Sequence, residues 1–355
     1  MTKSTHTFQI GDETVAPGEV KNVSLDVAQT YTGQPVSIRA QVWNSKAPGP
    51  TVLVSGAIHG DEINGSGIVR EIIRNKPHRL SKGTLVLVPV VNVLGFEQHN
   101  RYMPDRRDLN RFFPGKLDGS LTSRFAHAFF DEIVRRCDFV IDLHSAAWTR
   151  TNFPNVRADL SAPKVAAFAH SLGCEILVDD KGPKGSLRQE AVRAGVPTVL
   201  LEAGEVNKVE PRVVEFGLRL ITNGLIGLGM IERKPYAPIY QAVIRRNSWI
   251  RAHSGGLLDF HVAPGDVVEK GEPVATNMTL LGEEQSVVNA PYGGIVLGMT
   301  TLPAVMPGDP IIHLGQVVGG YKRVAKAIGE ASSRTLHERM RSELQTNVYV
   351  SERDD

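Results

Sequence analysis

Five short apolar runs alternate with helical patterns between residues 49 and 234, and no other feature of the chain restricts its fold as much. The runs lie near 51–55, 85–90, 138–143, 175–178 and 198–202. Helices are expected near 62–75, 119–136, 161–172, 186–194 and 207–230. In the first of these, Ile63, Gly67, Ile68 and Ile72 recur at core-facing intervals. Runs that are apolar throughout suit strands buried on both faces. Strand and helix in alternation then predict an α/β fold, a mostly parallel central sheet covered by helices.

Three of the runs end in polar residues. Thr51–Val54 leads through a small-residue turn to His59 and Glu62, and Phe139–Ile141 leads to Asp142 and His144. The third, Thr198–Leu201, is followed by Glu202. In open α/β sheets, ligands bind beyond the carboxyl ends of the strands, so these residues can share one crevice. Two histidines and a glutamate form the protein part of a catalytic zinc site, with donors at roughly 2.0–2.2 Å and a fourth position for water. The same donor set also suits non-haem iron. Asp142 can orient a ligating imidazole, and Glu202 can take a proton from water and deliver it to a leaving amine. A lone His-x-x-Glu pair is weak evidence, since Asp61 and Glu62 could simply complement a helix N-terminus. Three such strand ends together are not weak evidence.

Residues 100–115 carry too much charge for a core and too many breakers for a helix, so a long ordered loop is expected there. Arg101 and Arg111 in it could clamp a carboxylate or polarise a carbonyl. A basic surface loop is the plainer reading of its composition.

The ordered set His-Gly-Asp-Glu at 59–62, Arg-Tyr then Asp-Leu-Asn-Arg at 101–111, Asp-Leu-His-Ser at 142–145 and Leu-Glu-Ala-Gly at 201–204 resembles the succinylglutamate desuccinylase/aspartoacylase family. That family is a branch of the zinc carboxypeptidase superfamily, and the resemblance covers about residues 50–230. It implies one zinc ion held by His59, Glu62 and His144, with Glu202 as general base. It implies that Arg101 polarises the scissile carbonyl and that Asn110 and Arg111 hold the substrate's α-carboxylate. Asp142 would orient His59 or His144, and Asp108 would brace the arginines. A further arginine before the base matches Arg188, with Arg193 as the other candidate. No tyrosine here matches one that binds substrate elsewhere in the superfamily. The segment from Asn100 to Asp108 is also longer than in aspartoacylase.

Residues 1–48 read as an edge hairpin, with alternating segments at Val23–Val27 and Val36–Val42. Residues 49–234 form the catalytic unit. Near Pro235–Pro238 the helical patterns stop, and 235–316 read as a linker and a small β unit. There a Gly-Gly, strand, Pro-Gly-Asp pattern occurs twice, at 255–266 and 293–309. This stretch resembles the lipoyl/biotinyl-type barrel-sandwich hybrid. A carrier domain needs a lysine at its hairpin tip, and Met278–Gln285 has none, so a structural, lid or assembly role is expected. His253, His261 and His313 read as ordinary histidines. Residues 317–355 form a charged tail with a short amphipathic helix and a frayed end.

With 40 basic and 38 acidic residues in 355, the net charge of +2 argues against nucleic acid or an anionic membrane as main partner. No apolar run is long enough to span a bilayer, and Met1–His6 carries no apolar signal region. Cys137 and Cys174 lie in apolar contexts, as reduced thiols of a cytoplasmic protein would. A homo-oligomer is expected, a dimer being the commonest closed form. The functional expectation is a zinc amidohydrolase acting on a small N-acyl amino acid. A peptide carboxypeptidase, or a non-catalytic assembly protein, is the competing reading.

Overall fold

The computed structural model describes residues 6–317, 320–345 and 350. The expectations for the opening residues Met1–Thr5 and for the frayed end at 351–355 lie outside these residues.

Four of the five expected strands stand side by side and parallel, in the order Thr84–Val88, Thr51–Gly56, Phe139–His144, Thr198–Gly204. Their residues alternate between two cores, as continuous apolar runs require. Val52, Val54, Ile141 and Leu143 face the helices Asn64–Asn75, Pro163–Ser171 and Pro211–Gly227. Leu53, Val86 and Val140 face Phe125, Phe129 and Phe130 of the helix Leu121–Glu132. The expected helices all form, with shifted ends. The helix after Glu62 begins only at Asn64, so His59 and Glu62 lie in the preceding turn.

The N-terminal hairpin, Val20–Gln29 with Pro35–Asn44, adds antiparallel to Thr84–Val88. At the other side the sheet departs from the expected parallel order. An additional strand, Arg150–Ala158, enters antiparallel beside Thr198–Gly204, and the fifth expected strand, Ile176–Asp179, pairs parallel with it. The sheet is therefore mixed. It continues past the expected linker, because Ala242–Arg251 pairs parallel with Ile176–Asp179. Pro310–Val317, Gly294–Thr300 and Val267–Val268 extend it to 12 strands. A second sheet of four strands (Glu284–Asn289, Pro273–Met278, Gly256–Phe260, Ala304–Val305) packs over this end around Leu258, Phe260, Val274, Val296 and Ile312.

The charged C-terminal segment holds two helices, Tyr321–Gly329 and Leu336–Gln345. The second is docked, with Met340 and Leu344 in the main core and Arg339 paired to Glu215 at 2.8 and 2.7 Å. Both cysteines are buried and unpaired, and burial pushes the Cys174 thiol up to about 12. Among the described residues, no helix is long and apolar enough to cross a membrane.

Candidate active site

The crevice lies where the parallel strands end. Thr51–Gly56 hands the chain to a turn held by the Val91 and Asn92 N–H groups, which donate to the Gly56 and Ala57 carbonyls at 2.9 Å each. Gly60 in this turn passes so close to a neighbouring loop that a Cβ would sit 2.1 Å from the Gly95 carbonyl carbon. That close approach sets His59 and Glu62 against the end of Phe139–His144.

Two imidazoles converge on one carboxylate. His59 Nδ1 lies 2.6 Å from Glu62 Oε1, and His144 Nδ1 lies 2.8 Å from Glu62 Oε2. All three side chains are buried, and their donor atoms fall within 4.8 Å of one another, as a metal ion requires. The outward nitrogens are each tied to a carboxylate, His144 Nε2 donating to Asp142 at 2.9 Å and His59 Nε2 to Asp108 at 3.1 Å. A ligating histidine characteristically donates its other ring N–H in this way, which fixes tautomer and orientation. Asp142 is held in turn by the Ser55 hydroxyl at 2.9 Å. The Ser145 N–H donates to Glu62 Oε2 at 3.1 Å.

Burial disfavours charge on each group, yet the mutual fields win. Asp142 and Glu62 raise His144 well above its ordinary value, and Glu62 and Asp108 raise His59. The two rings in turn hold Glu62 well below the usual carboxylate range. Asp108 is held low by His59 and Arg101 despite its own burial. The site favours positive charge where the three donors meet. The residues therefore fit a divalent cation.

The loop at 100–115 is ordered, with a short 3-10 helix at Leu109–Arg111 and turns before and after it. Arg101 bridges two acids, with Nη1 at 3.0 Å from Glu62 and Nη2 at 3.1 Å from Asp108. Of the arginines it was expected to brace, Asp108 pairs with Arg101, while Arg111 Nη1 donates to the Asn110 carbonyl at 2.7 Å; Asp108 also touches His59. Asn110 is buried and its side-chain oxygen accepts the Leu187 N–H at 2.8 Å, which docks the helix Leu187–Arg193 on the loop. That helix places Arg188 in the cavity wall, paired with Asp180 at 3.0 Å, while its Nε and Nη1 have no partner. Arg193 points away and pairs with Glu190.

Glu202 stands in register with His144 on the adjacent parallel strand, so both side chains face the same side. Together with His59, Glu62, Arg101, Asn110, Arg111 and Arg188 they line one cavity of about 250 Å³. Every expected site residue except Asp108 and Asp142 lines it, and those two sit directly behind the histidines.

The remaining wall had no signal in the sequence. Arg150, Asn152 and Arg157 come from the unexpected strand. Trp249 and His313 come from the C-terminal β region, ring stacked on ring at 4.9 Å, with the Arg150 guanidinium 4.6 Å over Trp249. Burial, with Arg157 and Arg150 nearby, lowers His313 to about 3, and its Nε2 donates to Asn247 at 2.9 Å. His313 is thus a neutral wall residue.

Comparison with known proteins covers most of the chain. The succinylglutamate desuccinylase/aspartoacylase catalytic domain profile matches residues 48–228. An N-alpha-acetyl-L-2,4-diaminobutyric acid deacetylase of Halomonas elongata is 28% identical over 287 residues, covering 77% of this chain and 84% of the relative. The fold is shared with a succinylglutamate desuccinylase of a Silicibacter species, at TM-score 0.74, 22% identity and coverage of 89% and 99%. It is also shared with the product-bound ectoine utilization protein EutE (DoeB) of Ruegeria pomeroyi, at TM-score 0.72, 23% identity and coverage of 84% and 94%.

Proposed function

Since the chain belongs to the succinylglutamate desuccinylase/aspartoacylase family, we propose that it is a zinc-dependent hydrolase that removes an acyl group from a small N-acyl amino acid or related amine. The observation that carries this reading is the meeting of His59, Glu62 and His144 beside Glu202 in a small arginine-lined cavity. The names of the relatives, a deacetylase and a desuccinylase, support the reaction class.

His59, Glu62 and His144 would hold the zinc. When bound, zinc supplies the Lewis acidity that polarises an amide carbonyl and acidifies water. Asp108 and Asp142 keep the two imidazoles turned toward it. Asn110 and Arg111 receive the substrate's α-carboxylate, and Arg188, in the wall of the same cavity, has two buried nitrogens, Nε and Nη1, without a partner. Arg101 stabilises negative charge on the carbonyl oxygen, an effect worth about 2.7–4 kcal/mol where single donors have been removed elsewhere. Glu202 accepts the proton of the attacking water and returns it to the departing nitrogen.

On this reading residues 49–234 carry the chemistry, and the C-terminal region, read as a barrel-sandwich hybrid, closes one side of the cavity with Trp249 and His313. A wall at this place suits a small substrate better than a peptide running through.

The test is amine release from acetyl, succinyl and formyl derivatives of acidic, basic and neutral amino acids, with and without a chelator. Chelator-sensitive release from one or two of them supports the proposal. Zinc bound at one equivalent with no release from any would redirect it to peptide carboxy-termini or esters. The Glu202→Ala variant should keep zinc and lose roughly 10²–10⁴-fold in kcat. Near-parental turnover would remove Glu202 from its role.

A further inference from the structure

We propose that Asn152 is the positioning residue for Glu202, and that the C-terminal β region acts on the general base through it. The inference rests on the reading of Glu202 as base. Asn152 Nδ2 donates to Glu202 Oε2 at 3.1 Å, and Arg157 Nη1 stands 3.9 Å from Oε1. Both oxygens of the carboxylate therefore meet side chains of one strand, Arg150–Ala158. Asn152 is buried, so its amide is well placed to hold a single orientation. A carboxylate that must take a proton from water and pass it to nitrogen needs its free lone pairs aimed at both, and misplacement by about 1 Å can cost about 10²-fold.

What fixes Asn152 is a strand more than 140 residues later in the chain by number, Gly294–Thr300. Gly298 lies opposite Asn152 in the antiparallel register. A Cβ built on Gly298 would fall 2.4 Å from Asn152 Oδ1 and 2.6 Å from the Thr151 carbonyl oxygen. Glycine is thus needed for the amide to lie flat against this strand while its Nδ2 reaches Glu202. The pairing is reinforced by the Thr301 N–H and the Thr300 hydroxyl, which donate to the Thr149 carbonyl at 2.8 and 3.1 Å. Gly298 does not line the cavity, and the atoms a Cβ there would strike belong to Asn152 and its neighbour Thr151.

The test has two arms. Crystals of the parent and of Asn152→Ala report the Glu202 carboxylate directly, whatever the enzyme's activity. A single orientation in the parent that turns or splits in the variant supports positioning, and an unchanged carboxylate overturns it. With a substrate from the release panel in hand, Asn152→Ala should lower kcat roughly 10- to 100-fold with KM near the parental value and zinc retained. Gly298→Ala should do the same, and the double variant should be no slower than Asn152→Ala alone, since both act on one contact. Parental kcat in either folded variant, or losses that multiply in the double, would sink the proposal. A parent inactive on every substrate counts against the deacylase reading and leaves the crystallographic arm to decide this one.

Discussion

Each imidazole of the His59–His144 pair has one nitrogen turned to Glu62 and the other committed to an aspartate. Removing such an aspartate frees the ring to rotate while leaving the donors in place. Asp142→Ala should therefore weaken zinc binding about 10–100-fold with the fold intact, read by competition with a chromophoric chelator; parental affinity would mean that packing alone orients His144. His78 makes a separate prediction. Burial, with Arg233 nearby, lowers it to about 4 in the folded chain, against about 6.5 when unfolded. Between these values the unfolded chain takes up a proton that the folded chain refuses. Stability should fall as pH drops from about 6.5 to about 4, by up to about 1.4 kcal/mol per unit. His78→Leu should flatten that part of the slope in urea unfolding with chelator present, and superimposable slopes would show that His78 does not contribute. His59, Glu62, His144 and Glu202 were legible as a set, because all lie just beyond the ends of three apolar runs. Trp249 and His313 were not, since nothing local to them marks a site whose other residues end at Glu202.

Among the elements, the strand Arg150–Ala158 has the least strand-like sequence and much of the site. It contains Pro154, which a central strand should exclude because it has no N–H to donate. The register explains the tolerance. Asn152 and earlier residues pair with Gly294–Thr300, Val156 and later ones with Ile176–Asp179, and Phe153 and Pro154 have no registered partner on either side. The proline sits where the strand changes neighbours, a fact about tertiary pairing that local pattern does not contain. The parallel strands were readable for the opposite reason, being buried on both faces and therefore apolar throughout. The turn at His59–Glu62 offers a direct test of how tightly elements are spaced. Gly60→Ala would drive a methyl into the Gly95 backbone. It should destabilise by about 1–3 kcal/mol and lower zinc content at the same time, measured by denaturation and metal analysis on one preparation. Full zinc with unchanged stability would mean the two loops can move apart freely.

For the molecule as a whole, the sheet is a single body from the N-terminal hairpin to Val267–Val268. The composition change near Pro235 suggested a boundary, but hydrogen bonding crosses it where Ala242–Arg251 joins Ile176–Asp179. The C-terminal helix Leu336–Gln345 packs against Pro211–Gly227 and Arg150–Ala158. Met340, buried in the main core, should cost about 2–5 kcal/mol on change to alanine, lowering the urea midpoint for the catalytic half as well. A loss confined to the last residues in hydrogen exchange would argue that the helix is a dispensable addition. The continuous sheet also has a meaning for the chain as it is synthesised. When the first 230 or so residues have emerged from the ribosome, all the proposed zinc ligands and the base are present. Ile176–Asp179 and the start of Arg150–Ala158 are then still open edges, whose free backbone groups can recruit other chains. The nascent chain would carry its proposed chemistry before the late strands arrive to cover those edges.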